Sequence, residues 1–460
     1  MMKIKDIQGK RVSIIGAARS GIAVAKLLHT YGAIVFVSDI GTSDTIKTNI
    51  KQLQSLGIDG EFGIHSDRVY NADLFVLSPG VPTKSPVIEG AQKRNLKIIS
   101  EIEVASWFCP APIIAITGTN GKTTTTTLTY RMFEDANRKV AIGGNIDPAF
   151  STIIPKLDSS SIAVLEISSF QLDFIETFHP KISVILNITP DHLDRYDGSF
   201  ELYAKAKCRI FKNQGVGDYL IYCDDDVTTR EIVSKYTKKN ITLLPFTINH
   251  RNDIGAFIRD KKLITQVEGK EMEVIDLEQV GIKGMHNLYN AMAAVLCAQI
   301  QGIDISSIRT TLKNFKGVEH RLEFVRELNG VKYINDSKAT NVDSVWYAMQ
   351  AYSDPIVLLL GGRDKGNDYS KLVDLVKNKV RAIIALGESA DKIVNNFNSI
   401  VKVVKVSNME SAVKQAKQLA QNGDIVLLSP ACASFDWFTD YEHRGREFKK
   451  NVNLLSGEFL

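Results

Sequence analysis

The chain has 460 residues, 44% hydrophobic and 23% charged, with a net charge of +4, a balance that suits a soluble globular protein of about three domains at roughly 150 residues each. That charge is too small to suggest a nucleic-acid partner. The opening MMKIKDIQGK lacks a signal-peptide apolar core and no segment approaches the roughly 20 apolar residues of a membrane span, so a cytoplasmic protein with no membrane partner is expected.

Five cysteines, Cys109, Cys208, Cys223, Cys297 and Cys432, are scattered without a CxxC pair, which supports neither a disulfide framework nor a zinc ribbon. From Arg11 to Asp39 the sequence alternates strand, glycine turn, helix and strand, a βαβ unit that continues through DLFVLSPGVP at 73–82 and LKIISEIE at 96–103. Its glycines are Gly16 and Gly21, with Ala18 where close approach of a pyrophosphate needs glycine, so a nicotinamide cofactor is disfavoured. Asp39 is either a ribose acceptor at a strand end or a surface residue, and Arg19 can meet a phosphate, so another nucleotide fits this segment.

A second segment opens at PIIAITGTNGKTT. In ITGTNGKTTT at 116–125, Gly118 and Gly121 let backbone N–H groups turn toward an anion, Lys122 supplies a cation and Thr123 can ligate Mg²⁺. Ile116 stands where the full pattern has glycine, making this a shortened loop. A bare helix-capping turn is the bland alternative; a strand before and a helix after favour nucleotide binding. SIAVLEISSFQL and KISVILNITPDH follow as buried parallel strands, with Glu166 closing one of them. Asp191, His192 and Asp194 come next, and Lys207 lies 15 residues beyond His192. Singly, His192 reads as a turn residue and Lys207 as a solvated one. Beside a phosphate loop they suit oxygen-ligated Mg²⁺ and phosphoryl transfer, because HExxH and Cys/His zinc spacings are absent.

Past Gly317, GVKYINDSKATN, PIVLLLGGRDKG, VRAIIALGES and DIVLLSPACAS are four strand-then-polar-turn units. Ser434 is a poor nucleophile candidate without a GxSxG elbow and reads as a hydrogen-bond donor. Three α/β domains are expected, at 1–102, 103–317 and 318–460, with ligands beyond the carboxyl ends of the strands.

The motifs TGTNGKTT, GGNI, LEISSFQL, NITPDHLDRY, GMHNLYNAMAA and GVEHRLE resemble the Mur ligases and their folylpolyglutamate synthetase relatives. INDSKATN, GGRDKG and SPACASFDWFTDYEHRGREF are similar to the Mur ligases that add D-glutamate to UDP-N-acetylmuramoyl-L-alanine; the DNPR motif of the diamino-acid ligases does not occur. The resemblance spans essentially the whole chain. It implies a Rossmann-like N-terminal domain for the UDP-sugar, a central phosphate-loop ATPase domain and a Rossmann-like C-terminal domain for the amino acid. An ADP-forming ligase of peptidoglycan precursor synthesis is implied, acting through an acyl phosphate, with a monomer expected.

The resemblance also implies roles. Gly118, Thr119, Asn120, Gly121, Lys122, Thr123 and Thr124 hold the ATP phosphates, Asn287 and Asn290 the adenine, Asp336 the ribose and Arg321 the γ-phosphate. Thr123 and Glu166 ligate one Mg²⁺; Glu166, His192 and a carbamate on Lys207 ligate a second. Ala18, Arg19, Ser20, Asp39, Ile40, Ser78, Pro79, Gly80, Asn145, Ser168, Gln171 and His192 meet the UDP-sugar. Lys338, Thr340, Lys365, Ser434 and Tyr441 hold D-glutamate. Asp147, Tyr441 and Arg363 depart from the family pattern, the last adding a cation beside the amino-acid site. The rival reading outside the enzymes is a nucleotide-regulated binding protein, which would need no second metal.

Overall fold

The structure is a computed structural model that describes residues 6–237, 240–250, 253–364 and 366–456. It forms two compact units, Met1–Val280 with Tyr289–Asn314, and Gly281–Leu288 with Phe315–Leu460.

In the first unit the apolar runs near the N-terminus become β1 (Arg11–Ile15), β2 (Ile34–Asp39), β3 (Asp59–Phe62), β4 (Leu74–Leu77) and β5 (Ile98–Ser100), all parallel, in the order β3-β2-β1-β4-β5. This is a Rossmann-like sheet. Its order reverses between β1 and β4, and such a switch point opens a crevice at the strands' carboxyl ends.

The unit's second sheet is built from β6 (Ile113–Thr117), β7 (Val140–Gly144), β8 (Ile162–Glu166), β9 (Ile182–Ile185), β10 (Tyr219–Cys223), β11 (Thr242–Phe246), β12 (Gly255–Arg259), β13 (Lys262–Val267) and β14 (Lys270–Asp276). Their order is β14-β13-β12-β11-β10-β9-β6-β8-β7. β6 and β8 are buried along their whole length, as a parallel strand covered on both faces must be. β12 to β14 form an antiparallel meander turned by Asp260-Lys261 and Glu268-Gly269, all four at positive φ.

The second unit carries β15 (Glu323–Leu328), β16 (Val331–Asn335), β17 (Ile356–Gly361), β18 (Val380–Leu386), β19 (Lys402–Lys405) and β20 (Ile425–Leu428), ordered β15-β16-β20-β17-β18-β19. Among the described strands of this sheet only β15 runs antiparallel, paired to β16 through the Asn329-Gly330 turn.

One buried carboxylate fastens the first unit internally. Glu103, on the helix Glu101–Trp107 after β5, accepts from the backbone amides of Glu176, Thr177 and Phe178, from Thr177 Oγ1 and from Trp107 Nε1. Burial alone would raise its pKa, but the donors of Thr177, Glu176 and Trp107 outweigh burial and hold it below the usual carboxylate value. Its stabilisation is complete at neutral pH and is lost as pH falls through the folded pKa. Glu103→Ala, which leaves three amides without an acceptor, should lower the unfolding free energy by about 3 kcal/mol or more in denaturant titration at pH 7.

Candidate active site

Between β6 and the helix Lys122–Asp135, the chain turns through Gly118 at φ 153° and Gly121 at φ 84°. A Cβ at Gly121 would lie 2.3 Å from Asn290 Oδ1, which also accepts from Thr125 Oγ1 at 3.1 Å. Asn290 thus fixes the loop from the helix Met285–Ile300. From the other side, Thr119 N donates to Asn187 O at 2.9 Å and Asn120 N to Asn187 Oδ1 at 2.8 Å. Thr119 Oγ1 meets Thr189 O and Tyr203 Oη, each at 3.0 Å. The amides of Thr119 and Asn120 therefore serve the loop itself. The amides at the start of the helix, which lack intrahelical acceptors, are those that suit an anion.

Two lysines meet at this loop. Lys122 Nζ donates to Gly118 O at 2.9 Å and Thr119 O at 2.8 Å, and Lys207 Nζ donates to Gly118 O at 2.8 Å. Lys207 is 2% exposed, with its Nζ 4.7 Å from the centre of the Tyr203 ring. Burial first and the charge of Lys122 second push its pKa well below the ordinary lysine value, against the pull of Asp191 and Glu166.

Glu166, also 2% exposed, ends β8 beside this pair. Its Oε2 accepts from Thr123 Oγ1 at 2.6 Å and its Oε1 from Asn145 Nδ2 at 2.8 Å. A carboxylate and a hydroxyl at a phosphate loop are hard oxygen donors, the set that suits Mg²⁺. His192 stands at φ 51° with its side chain 39% exposed, its ring edge-on to Phe170 at 5.0 Å and Nε2 3.7 Å from Asp191 Oδ2.

A cleft of about 880 Å³ opens at the β1/β4 switch point. Ala18, Arg19, Ser20, Asp39, Ile40, Ser78, Pro79, Gly80, Asn145 and Gln171 line it, together with Ile64, His65, Tyr70 and Pro82, which the sequence did not single out. Ser168 and His192 are not among its lining residues; Ser168 caps the short helix Ser169–Leu172 in a reciprocal pair with Gln171. Arg19 Nη2 donates to Asn145 O at 2.9 Å, and Nη1 lies 3.7 Å from Asp147 Oδ1. Asp39 accepts from Ala17 N at 2.6 Å and Gly41 N at 2.7 Å, so its carboxylate shapes the cleft's two turns. Arg195 Nη1 donates to Pro79 O at 3.1 Å while its guanidinium covers the Phe170 ring.

In the second unit, the turns after β16 and β20 are joined by Arg444, a residue no local pattern announced. It is 1% exposed; Nε donates to Ser337 Oγ at 2.9 Å, Nη2 to Ser337 O at 2.7 Å and Nη1 to Cys432 O at 3.1 Å. Burial lowers its pKa to about 10. Asp336 accepts from Ser429 Oγ at 2.8 Å and Leu322 N at 3.2 Å, and burial raises its pKa to about 6 against the charge of Arg321. Lys338 Nζ lies 5.1 Å from the centre of the Tyr441 ring, Ser434 is buried and Thr340 half-buried. Asn287 Nδ2 donates to Lys283 O at 2.9 Å. Arg363 pairs with Glu388 at 2.9 Å. Lys365 lies outside the described residues. Arg444→Met, which leaves the buried carbonyls of Ser337 and Cys432 without their donors, should cost about 2 kcal/mol or more of stability in the same denaturant assay, and Arg444→Lys should restore only part of it because an ammonium cannot span both turns.

Residues 10–100 match the family model of the Mur ligase MurD-like N-terminal domain, 116–298 that of the Mur ligase middle domain and 320–432 that of the Mur ligase glutamate ligase domain. The chain is 46% identical to the UDP-N-acetylmuramoylalanine–D-glutamate ligase of Chloroherpeton thalassium, over 99% of this chain and 100% of that protein. With the enzyme of the same name from Salinibacter ruber the identity is 44%, over 98% and 99%. The fold is similar to that of the MurF ligase of Thermotoga maritima solved in complex with ADP, with a TM-score of 0.57 at 16% identity over 98% of this chain and 97% of that one. With three matching domain models in order and relatives this similar over the full length, the chain belongs to the Mur ligase family.

Proposed function

We propose that this chain is an ATP-dependent ligase that joins D-glutamate to UDP-N-acetylmuramoyl-L-alanine in cytoplasmic synthesis of peptidoglycan precursors. The observation that carries the reading is the half-buried Lys122 beside the buried Lys207, Thr123 and Glu166 at the phosphate loop, in a chain so similar to the D-glutamate ligases.

The substrate's terminal carboxylate attacks the γ-phosphorus of ATP, a C–O–P linkage forms and ADP departs. The neutral amine of D-glutamate then attacks the acyl carbon, phosphate leaves and the amine gives up its proton. Lys122 and the helix amides from Gly121 to Thr124 balance the charge of the phosphates, with Thr119 and Asn120 holding the loop. Thr123 and Glu166 would hold one Mg²⁺, and Glu166, His192 and a carbamate on Lys207 a second; such ions would supply neutralisation of phosphate charge. The carbamate is chemically reasonable because only an uncharged amine combines with CO₂, and burial beside Lys122 disfavours the ammonium. Asn287 and Asn290 meet the adenine, Asp336 the ribose and Arg321 the γ-phosphate. The switch-point cleft takes the uridine diphosphate, and Ser168 and His192, which do not line it, meet the sugar beyond it. Lys338, Thr340, Lys365, Ser434 and Tyr441 hold the two carboxylates of D-glutamate, leaving its amine free.

Phosphate release with ATP, UDP-N-acetylmuramoyl-L-alanine and a panel of D- and L-amino acids tests the reading. D-Glutamate alone should support turnover, and preference for L-glutamate or a diamino acid would overturn the acceptor assignment. Lys207→Ala should fold yet lose about three orders of magnitude in turnover, the scale of a missing charge-stabilising group. Short carboxylic acids should restore part of it by supplying the oxygen ligands. Normal turnover by the variant without them would remove the carbamate from the mechanism.

A further inference from the structure

We infer that His65 is a specificity residue of the switch-point cleft, presenting Nε2 as an acceptor for a hydrogen-bond donor on the nucleoside; this rests on reading the cleft as the uridine nucleotide site. His65 lies just after β3 and is one of the residues that line the cleft. Its Nδ1 is 2.7 Å from Ser38 Oγ, at the end of β2. The same hydroxyl lies 2.8 Å from Glu61 Oε1, and Glu61 in turn accepts from Ser66 N at 2.9 Å and Ser66 Oγ at 2.7 Å.

Proton counting decides the tautomer. Ser38 has one hydroxyl hydrogen, and its other two neighbours, the Glu61 carboxylate and the Ile64 carbonyl oxygen at 3.3 Å, offer only lone pairs, so that hydrogen is taken up on their side, chiefly by the shorter contact to Glu61. The contact to His65 must then be supplied by a hydrogen on Nδ1. Burial, outweighing the carboxylates of Asp39 and Glu61, keeps the ring's pKa below the ordinary histidine value, so near pH 7 it is neutral. A neutral imidazole with its proton on Nδ1 has a bare lone pair on Nε2. Among the described residues, Nε2 has no hydrogen-bond partner.

An acceptor in a nucleotide cleft selects for a donor, and leaving it unmet costs more than the bond itself contributes. A uridine nucleotide offers two kinds, the imide N–H of the base and the ribose hydroxyls. A cytosine, with an acceptor at the position of that N–H, would set two lone pairs against each other.

The test is a thermodynamic cycle of side chain against ligand, read by calorimetry. UDP, its N3-methyl derivative and its 2′- and 3′-deoxy derivatives are titrated into the wild-type full chain, His65→Asn and His65→Gln. The asparagine amide can keep the bond to Ser38 while lacking Nε2; the longer glutamine can place an acceptor near the Nε2 position. UDP should bind His65→Asn about tenfold more weakly than wild type, with His65→Gln recovering much of the loss. One analogue should bind the wild type about tenfold more weakly than UDP and lose nothing further in His65→Asn, and that analogue identifies the donor. If every analogue loses the same factor as UDP in His65→Asn, His65 supports the cleft's shape and the inference fails while the cleft assignment stands. If the wild type binds UDP no better than adenosine diphosphate at this cleft, the cleft assignment fails and the inference with it. ATP affinity and thermal midpoint should stay at wild-type values in both variants; a drop in both, tracking the loss of UDP, would assign His65 to folding and overturn the inference.

Discussion

The carbonyl oxygen of Gly118 accepts from two lysines, and the rest of the candidate active site depends on that convergence. Two ammonium groups at one oxygen repel each other, and the one with less water gives up its proton more easily. Lys207 is that one, enclosed beside the aromatic ring of Tyr203, whereas Lys122 stands at a helix start. Gly118 can direct its carbonyl this way because glycine tolerates φ 153°. Loop conformation and lysine chemistry are therefore one constraint, and a side chain at Gly118, 3.0 Å from Leu186 Cβ, would disturb both.

Around that centre the chain uses polar side chains to complete backbone turns. Asp39, Asn187 and Glu103 each accept from amides of a neighbouring segment, and Arg444 donates to carbonyls of two turns. These groups hold loops near strand ends, where the backbone lacks a ladder to satisfy it; those of Asp39, Asn187 and Arg444 follow the strands' carboxyl ends, where ligands bind, whereas Glu103 holds a segment before the amino end of β9. The same economy shows at Arg363, whose added charge is paired to Glu388 at the surface and so need not act on an amino acid.

Legibility followed the range of the interactions involved. The apolar runs of β1, β6, β8, β17 and β20 announced themselves because a strand covered on both faces must be apolar throughout. The meander β12 to β14 did not, since its strands mix charged and apolar residues; nor did β15, although Asn329-Gly330 is a strong hairpin dipeptide. The phosphate loop was legible because its glycines, lysine and threonine are contiguous. Lys207 read singly as solvated, and its burial depends on a carbonyl 89 residues away in sequence. Asn187, Tyr203 and Arg444 left no local trace, because each acts on segments far along the chain. The family resemblance brought Asn290 forward as an adenine ligand; its lock on Gly121 became visible only in three dimensions.

Asn145 stands on two boundaries at once. Its carbonyl accepts from Arg19 on the wall of the switch-point cleft, while its amide donates to the Glu166 carboxylate beside the phosphate loop. A ligand that draws Arg19 toward itself loosens one end of Asn145, and a cation that takes Glu166 Oε1 releases the other. Such a shared residue makes occupancy of the two places interdependent, and thermodynamic reciprocity requires that each changes the other's affinity by the same factor.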